Sequence, residues 1–114
     1  METDKSILNS IKKLLGMTVD YNPFDDDIII HINSVFSTLN QMGVGPSNGF
    51  SIEDSSTTWD EYTEDESVKN IVKTYMFLKV KLLFDPPTLG SVTESINNQL
   101  KELEYRLYTW KGGY

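Results

Sequence analysis

Apolar positions recur at helical spacing in four stretches of the chain. In residues 4–15, Ile7, Leu8, Ile11, Leu14 and Leu15 form one stripe. Thr3 or Asp4 can cap its start and Gly16 suits its stop. Lys5, Lys12 and Lys13 fall off the stripe and are expected in water. The second stretch runs from Pro23 to Met42, with Asn22 as N-cap and Pro23 at the first helical position. Ile28, Ile32, Val35, Phe36, Leu39 and Met42 make its stripe, and Gly43 marks its stop. Ile29 and Ile30 widen the stripe, so this helix is expected to pack on two sides. The third stretch, from Asp65 to Phe84, carries Val68, Ile71, Val72, Tyr75, Leu78, Leu82 and Leu83. Met76, Phe77 and Val80 add apolar surface beyond one face, which predicts a buried central helix. Asp85-Pro86-Pro87 ends it, because proline lacks an amide hydrogen and restrains the residue before it. The fourth helix starts at Leu89 or Ser91 and reaches Tyr108 or Trp110. Ile96, Leu100, Leu103, Leu107 and Trp110 follow a heptad seam for about two heptads.

Residues 43–63 break the pattern. Their start, MGVGPSNGF, is rich in residues that favour turns. Phe50-Ser51-Ile52 alternates apolar and polar, which allows a short strand. Trp59 and Tyr62 sit among acids and are expected to anchor in the core or in a neighbouring subunit. The reading is an all-α single domain over residues 1–114. It has four helices, a long irregular loop between the second and third, and a short flexible tail over 108–114.

Composition narrows the function. The chain has 114 residues, 17 acids against 10 bases, a net charge of −7, no Cys and one His. One domain is expected at this length. The charge balance disfavours general affinity for nucleic acid or anionic membranes. Disulfides, thiolate catalysis and Cys-ligated metals are excluded. No apolar run approaches the roughly 20 residues of a membrane span, and the N-terminus lacks a signal-peptide pattern. The charge is also localised. Glu53, Asp54, Asp60, Glu61, Glu64, Asp65 and Glu66 make seven of the 17 acids, leaving ten against the ten bases elsewhere. Such a run is either a solvated loop and helix start or a surface that repels DNA or docks on a basic partner.

Catalytic and metal chemistry find little footing. Asp25, Asp26 and Asp27 would point about 100° apart on a helix, so they suit helix-start electrostatics better than one ion. Gly43-Val44-Gly45 follows a helix and lacks a following Gly-Lys-Ser/Thr, so it reads as a helix stop and loop. His31 has no second His or Cys to share a ligand set. No nucleophile motif with a base is present, and no cofactor or metal site is expected. The apolar excess is more informative. Ile29, Ile30, Met76, Phe77, Leu107, Tyr108, Trp110 and Tyr114 are hard to bury together in a small helical monomer, and subunit contacts are the other place for them.

Several segments in order carry a family likeness. Tyr21-Asn22-Pro23-Phe24-Asp25-Asp26-Asp27-Ile28 opens a helix, and Phe50-Ser51-Ile52 and Trp59-Asp60-Glu61-Tyr62 follow a Gly-rich turn. Tyr75 to Pro87 (YMFLKVKLLFDPP) closes a helix, and Gln99 to Leu107 (QLKELEYRL) lies in the last one. Over about residues 5–108 the chain resembles the head–tail connector, or head-completion adaptor, proteins of tailed bacteriophages and their prophages. That resemblance implies a non-enzymatic virion protein, made in the bacterial host cytoplasm. It would form a homo-oligomeric ring under the portal, matching the portal's twelvefold symmetry. It would also join the capsid to a stopper or tail-completion protein, with DNA passing through unread and no membrane involved. By position it makes Leu107, Tyr108, Trp110 and Tyr114 a portal-facing tail. Phe50, Ile52, Trp59 and Tyr62 become a loop or subunit interface. The acidic run from Glu53 to Glu66 becomes a lumen lining or docking surface. A generic acidic helical binding module or regulator, including a DNA mimic, is the alternative.

Overall fold

The computed structural model describes residues 5–110, the Trp110 side chain excepted. Among them are five helices: α1 (Ile7–Leu14), α2 (Asp25–Gln41), α3 (Trp59–Tyr62), α4 (Glu66–Phe84) and α5 (Gly90–Trp110). The chain is all-α, as the periodicity predicts, and α3 is an extra short helix within the long loop. α4 is the central element and packs against α1, α2 and α5, while α1 also packs on α2. The core follows the predicted stripes. Ile7, Leu8 and Ile11 of α1 are buried, as are Ile28, Ile32, Val35, Phe36 and Leu39 of α2. So are Val68, Val72, Tyr75, Met76, Leu78 and Val80 of α4. From α5 come Ile96, Leu100 and Leu107. The Tyr75 hydroxyl donates to Glu104 Oε2 at 2.8 Å and ties α4 to α5.

Helix boundaries follow local chemistry. Ser6 caps α1, its Oγ accepting from the Asn9 amide at 3.1 Å, so the helix starts later than Asp4. Asp65 caps α4 by accepting from the Ser67 and Val68 amides. α2 ends in a Schellman arrangement: Val44 N donates to the Leu39 carbonyl and Gly43 N to that of Asn40. Gly43 has φ +84°, a conformation that favours glycine, and the turn inserts Val44 into the core.

The start of α2 differs from expectation. The helix begins at Asp25, and its N-cap Phe24 makes no side-chain cap bond. Asn22-Pro23 instead opens a β-turn closed by Asp25 N to the Asn22 carbonyl at 3.3 Å. Phe24, at φ −107° and ψ 8°, takes the third position of a type I turn. Proline's fixed φ suits the second position of that turn as well as the first of a helix, so the dipeptide alone does not separate them. Ile30 also departs from expectation: it is 64% exposed, so α2 does not bury a second face there.

Lys12 is the largest correction. It was expected in water but is 1% exposed. Its Nζ donates to the Val19 carbonyl at 3.0 Å and lies 2.9 Å from Asp25 Oδ1. The segment between α1 and α2 folds over it, so one ammonium fastens α1, that segment and the first turn of α2. Asp25 is thereby separated in role from Asp26 and Asp27, which remain exposed. Replacing Lys12 removes a buried charge partner and leaves a carboxylate and a carbonyl unpaired. Lys12→Ala is expected to lower unfolding free energy in urea by about 3 kcal/mol. The exposed Lys101→Ala should change it by less than about 0.5 kcal/mol. Equal costs for the two would contradict the burial of Lys12.

Candidate interaction surfaces

The long loop is held by side chains rather than by a strand. Asn33 on α2 presents its amide edge to Ile52: Ile52 N donates to Asn33 Oδ1 at 2.8 Å, and Asn33 Nδ2 donates to the Ile52 carbonyl at 3.0 Å. These two bonds satisfy the backbone that a neighbouring strand would otherwise pair, and Phe50-Ser51-Ile52 forms no strand. α3 begins where Thr58 N donates to Glu61 Oε2 at 3.0 Å. The Thr58-x-x-Glu61 spacing is the sequence signal that reveals this short helix. An isolated antiparallel bridge joins Thr58 to Ser6.

Aromatic packing completes the anchor. Phe36 of α2 lies 5.0 Å from Phe50, 4.9 Å from Tyr62 and 6.4 Å from Trp59, centroid to centroid. Phe50 and Tyr62 meet edge-on at 5.2 Å, a favoured arrangement for ring quadrupoles. Trp59 Nε1 donates to Ser10 Oγ at 2.8 Å, and the Ser10 hydroxyl donates to the Ile7 carbonyl. Phe50, Ile52, Trp59 and Tyr62 thus belong to this chain's own core. Ile52, Trp59 and Tyr62 are buried and Phe50 is half-buried.

Within that cluster the Tyr62 hydroxyl is buried and has no hydrogen-bond partner among the described residues. Burial pushes its phenol from 10.0 up to about 12. It packs against Gly45 so closely that a Cβ there would stand 2.6 Å from the phenol oxygen, on a backbone with φ +90°.

The acids of the 53–66 run face outward: Glu53, Asp54, Asp60, Glu61, Glu64, Asp65 and Glu66 are all exposed. Several are engaged locally. Asp54 accepts from the Ser56 amide and hydroxyl, which hold its carboxyl below the usual range. Glu61 and Asp65 cap helices. Lys69 of α4 binds both Asp60 and Glu66. Its hydrogen bond holds the Asp60 carboxyl low, and those two carboxylates hold the Lys69 ammonium high. Bases that follow the run in sequence therefore return to it in space. Lys73 also lies 5.9 Å above the Trp59 ring.

The C-terminal residues separate. Leu107 is fully buried and packs in the core, so it is not a free tail residue. Tyr108 and Thr109 continue α5, and Tyr108 is 47% exposed. The Trp110 side chain and Tyr114 lie outside the described residues. Tyr108 lines a shallow groove between α2 and α5 with Thr38, Met42, Lys101, Glu104 and Tyr105.

A third surface comes from residues that had no role in the helical stripes. Tyr21, Phe24 and Phe84 form a ladder with centroids 6.0 and 5.5 Å apart, and His31 lies 6.4 Å from Phe84. Tyr21 is 50% and Phe24 41% exposed. Two aromatics just before a helix, without a periodic slot to fill, are the signal available in sequence. Among the described residues no group of three His, Asp or Glu is placed to hold a metal ion, and no helix is long and apolar enough to cross a membrane.

A protein-family model described as phage connector protein matches residues 7–113. No curated protein and no solved structure gives a match.

The Tyr62 environment gives two expectations. Tyr62→Phe removes an unpaired buried hydroxyl and should raise stability at neutral pH by about 1 kcal/mol. Between 10.0 and about 12 the unfolded chain ionises this phenol while the folded chain keeps it neutral. Stability therefore falls as pH rises through that window, and Tyr62→Phe should flatten the fall in urea denaturation series. Gly45→Ala should cost about 2 kcal/mol or more, because it adds both steric overlap and backbone strain.

Proposed function

Because the chain belongs to the phage connector protein family, a family of structural proteins, we propose that it is a head–tail adaptor. It assembles as a ring beneath the portal, lines the DNA passage and carries the stopper or tail-completion protein. Its place is the virion. The match over residues 7–113 is the observation that carries this reading.

The surface chemistry supports it. A ring needs a heterologous interface, with two different patches on each subunit. Exposed apolar side chains lie on separate elements: Leu14 on α1, Ile30 on α2, Val92 near the start of α5, and Tyr105 and Tyr108 near its end. Aromatic and aliphatic side chains of this kind anchor subunit contacts. The mechanism is structural: burial of these patches drives ring closure. The outward acids would repel phosphate and let DNA slide if they face the lumen. Facing outward, they would dock a basic partner. The acids that cap helices or bind Lys69 already have partners within the chain, which weighs against a phosphate-mimicking array.

Co-purification with the portal protein followed by electron microscopy tests the ring. A ring coaxial with the portal is expected. A tight complex with a DNA-binding protein and no portal affinity would sink the adaptor reading. Ile30→Ser and Tyr105→Ser should leave folding stability within about 0.5 kcal/mol and reduce ring assembly on the portal. Full assembly of both variants would remove these two patches from the interface.

A further inference from the structure

The Tyr21–Phe24–Phe84 ladder joins two segments about 60 residues apart in sequence. The turn before α2 contributes Tyr21 and Phe24, and the last residue of α4 is Phe84. The rings stay partly open to solvent although the core is well supplied with aromatics. Acids adjoin them in sequence. Asp20 adjoins Tyr21, Asp26 and Asp27 occupy the first turn of α2, and Asp85 follows Phe84; all four are exposed. Phe24, Asp27 and His31 share one face of α2 at helical spacing. No Lys or Arg occurs between residues 14 and 68; the base that reaches the α2 side, Lys12, is buried and held by Asp25 and the Val19 carbonyl. On the α4 side, Lys81 is paired with Asp85 at 3.0 Å.

We propose that this ladder is a docking surface for an arginine-bearing segment of a partner protein. Half-exposed rings with exposed acids adjoining them in sequence suit a cation whose stem is apolar. A guanidinium fits better than an ammonium, because it is planar, stacks on rings, is more weakly hydrated and can fork onto a carboxylate. A second copy of this chain is a poor occupant. Its sole arginine, Arg106, lies 3.7 Å from Glu102 on α5. Arginine recognition here is independent of ring formation, so this surface and the portal assembly can fail separately.

The test is a nuclear magnetic resonance titration of the intact, isotope-labelled chain with the peptide Gly-Arg-Leu-Arg-Gly. Counterparts carrying Lys or Glu in place of Arg are run alongside. Shifts centred on Tyr21, Phe24, His31 and Phe84 are expected with the arginine peptide, with affinity in about the millimolar range. Binding should be several-fold weaker with lysine, absent with glutamate and reduced by salt. The double variant Tyr21→Ser/Phe24→Ser should keep its thermal midpoint within a few degrees and bind the arginine peptide about tenfold more weakly. If that variant fails to fold, Asp26→Asn/Asp27→Asn replaces it, with a several-fold loss expected. No shift at the ladder, equal binding of the glutamate peptide, or unchanged binding by the variant that folds would overturn the proposal. So would concentration-dependent broadening of the same signals without peptide, which would give the surface to a second copy.

Discussion

Burial of Phe36 is the contact on which the arrangement of the long loop depends. This ring projects from α2 into a segment that has no backbone ladder of its own. Phe50, Tyr62 and Trp59 close around it from that segment. Residues between α2 and α4 could not otherwise be ordered at the entropic cost of fixing about 20 backbones. Polar bonds then set the register. Asn33 clasps both backbone groups of Ile52, and Trp59 reaches Ser10 on α1. Hydrophobic burial supplies the attraction here, while the buried hydrogen bonds exclude nearby alternatives.

Anchoring the aromatics inward determines what the loop can present outward. Asp60 and Glu61 lie between Trp59 and Tyr62, and Glu64 follows; with both rings in the core, these carboxylates face water. α3 and the start of α4 use some of that charge at their own termini, where the helix dipole favours it. Lys69, one turn into α4, takes up more. The acidic face is therefore a property of how the loop is pinned, and its local field is weaker than the bare count of seven acids implies.

Two kinds of apolar surface remain outside. Ile30, Tyr105 and Tyr108 are single side chains on long helices, suited to flat contacts between subunits. Tyr21, Phe24 and Phe84 are rings packed tilted and edge-on at the junction of two helix ends, with acids adjoining them in sequence. The first kind offers broad apolar contact and the second a local aromatic one.

Much of the fold was legible in the chain itself. The stripes of the long helices and the stop at Gly43 follow from helical geometry and backbone chemistry, which act over a few residues. The all-α class is readable for the same reason, while the connector likeness rests on resemblance to a known family. What stayed hidden depends on residues distant in sequence. Lys12 lies off the stripe of α1 and should be wet by periodicity; it is buried because the segment to α2 crosses over it and Asp25 arrives to pair with it. Phe50, Ile52, Trp59 and Tyr62 could have faced a neighbour or the core. The presence of Phe36 and Asn33 at the right height on α2 decided for the core. Tyr21, Phe24 and Phe84 had no common meaning until α2 and α4 packed together. Sequence determined which surfaces each helix would have, because neighbouring residues impose that locally. Only the tertiary structure decided which of them would be covered, because burial is a property of pairs.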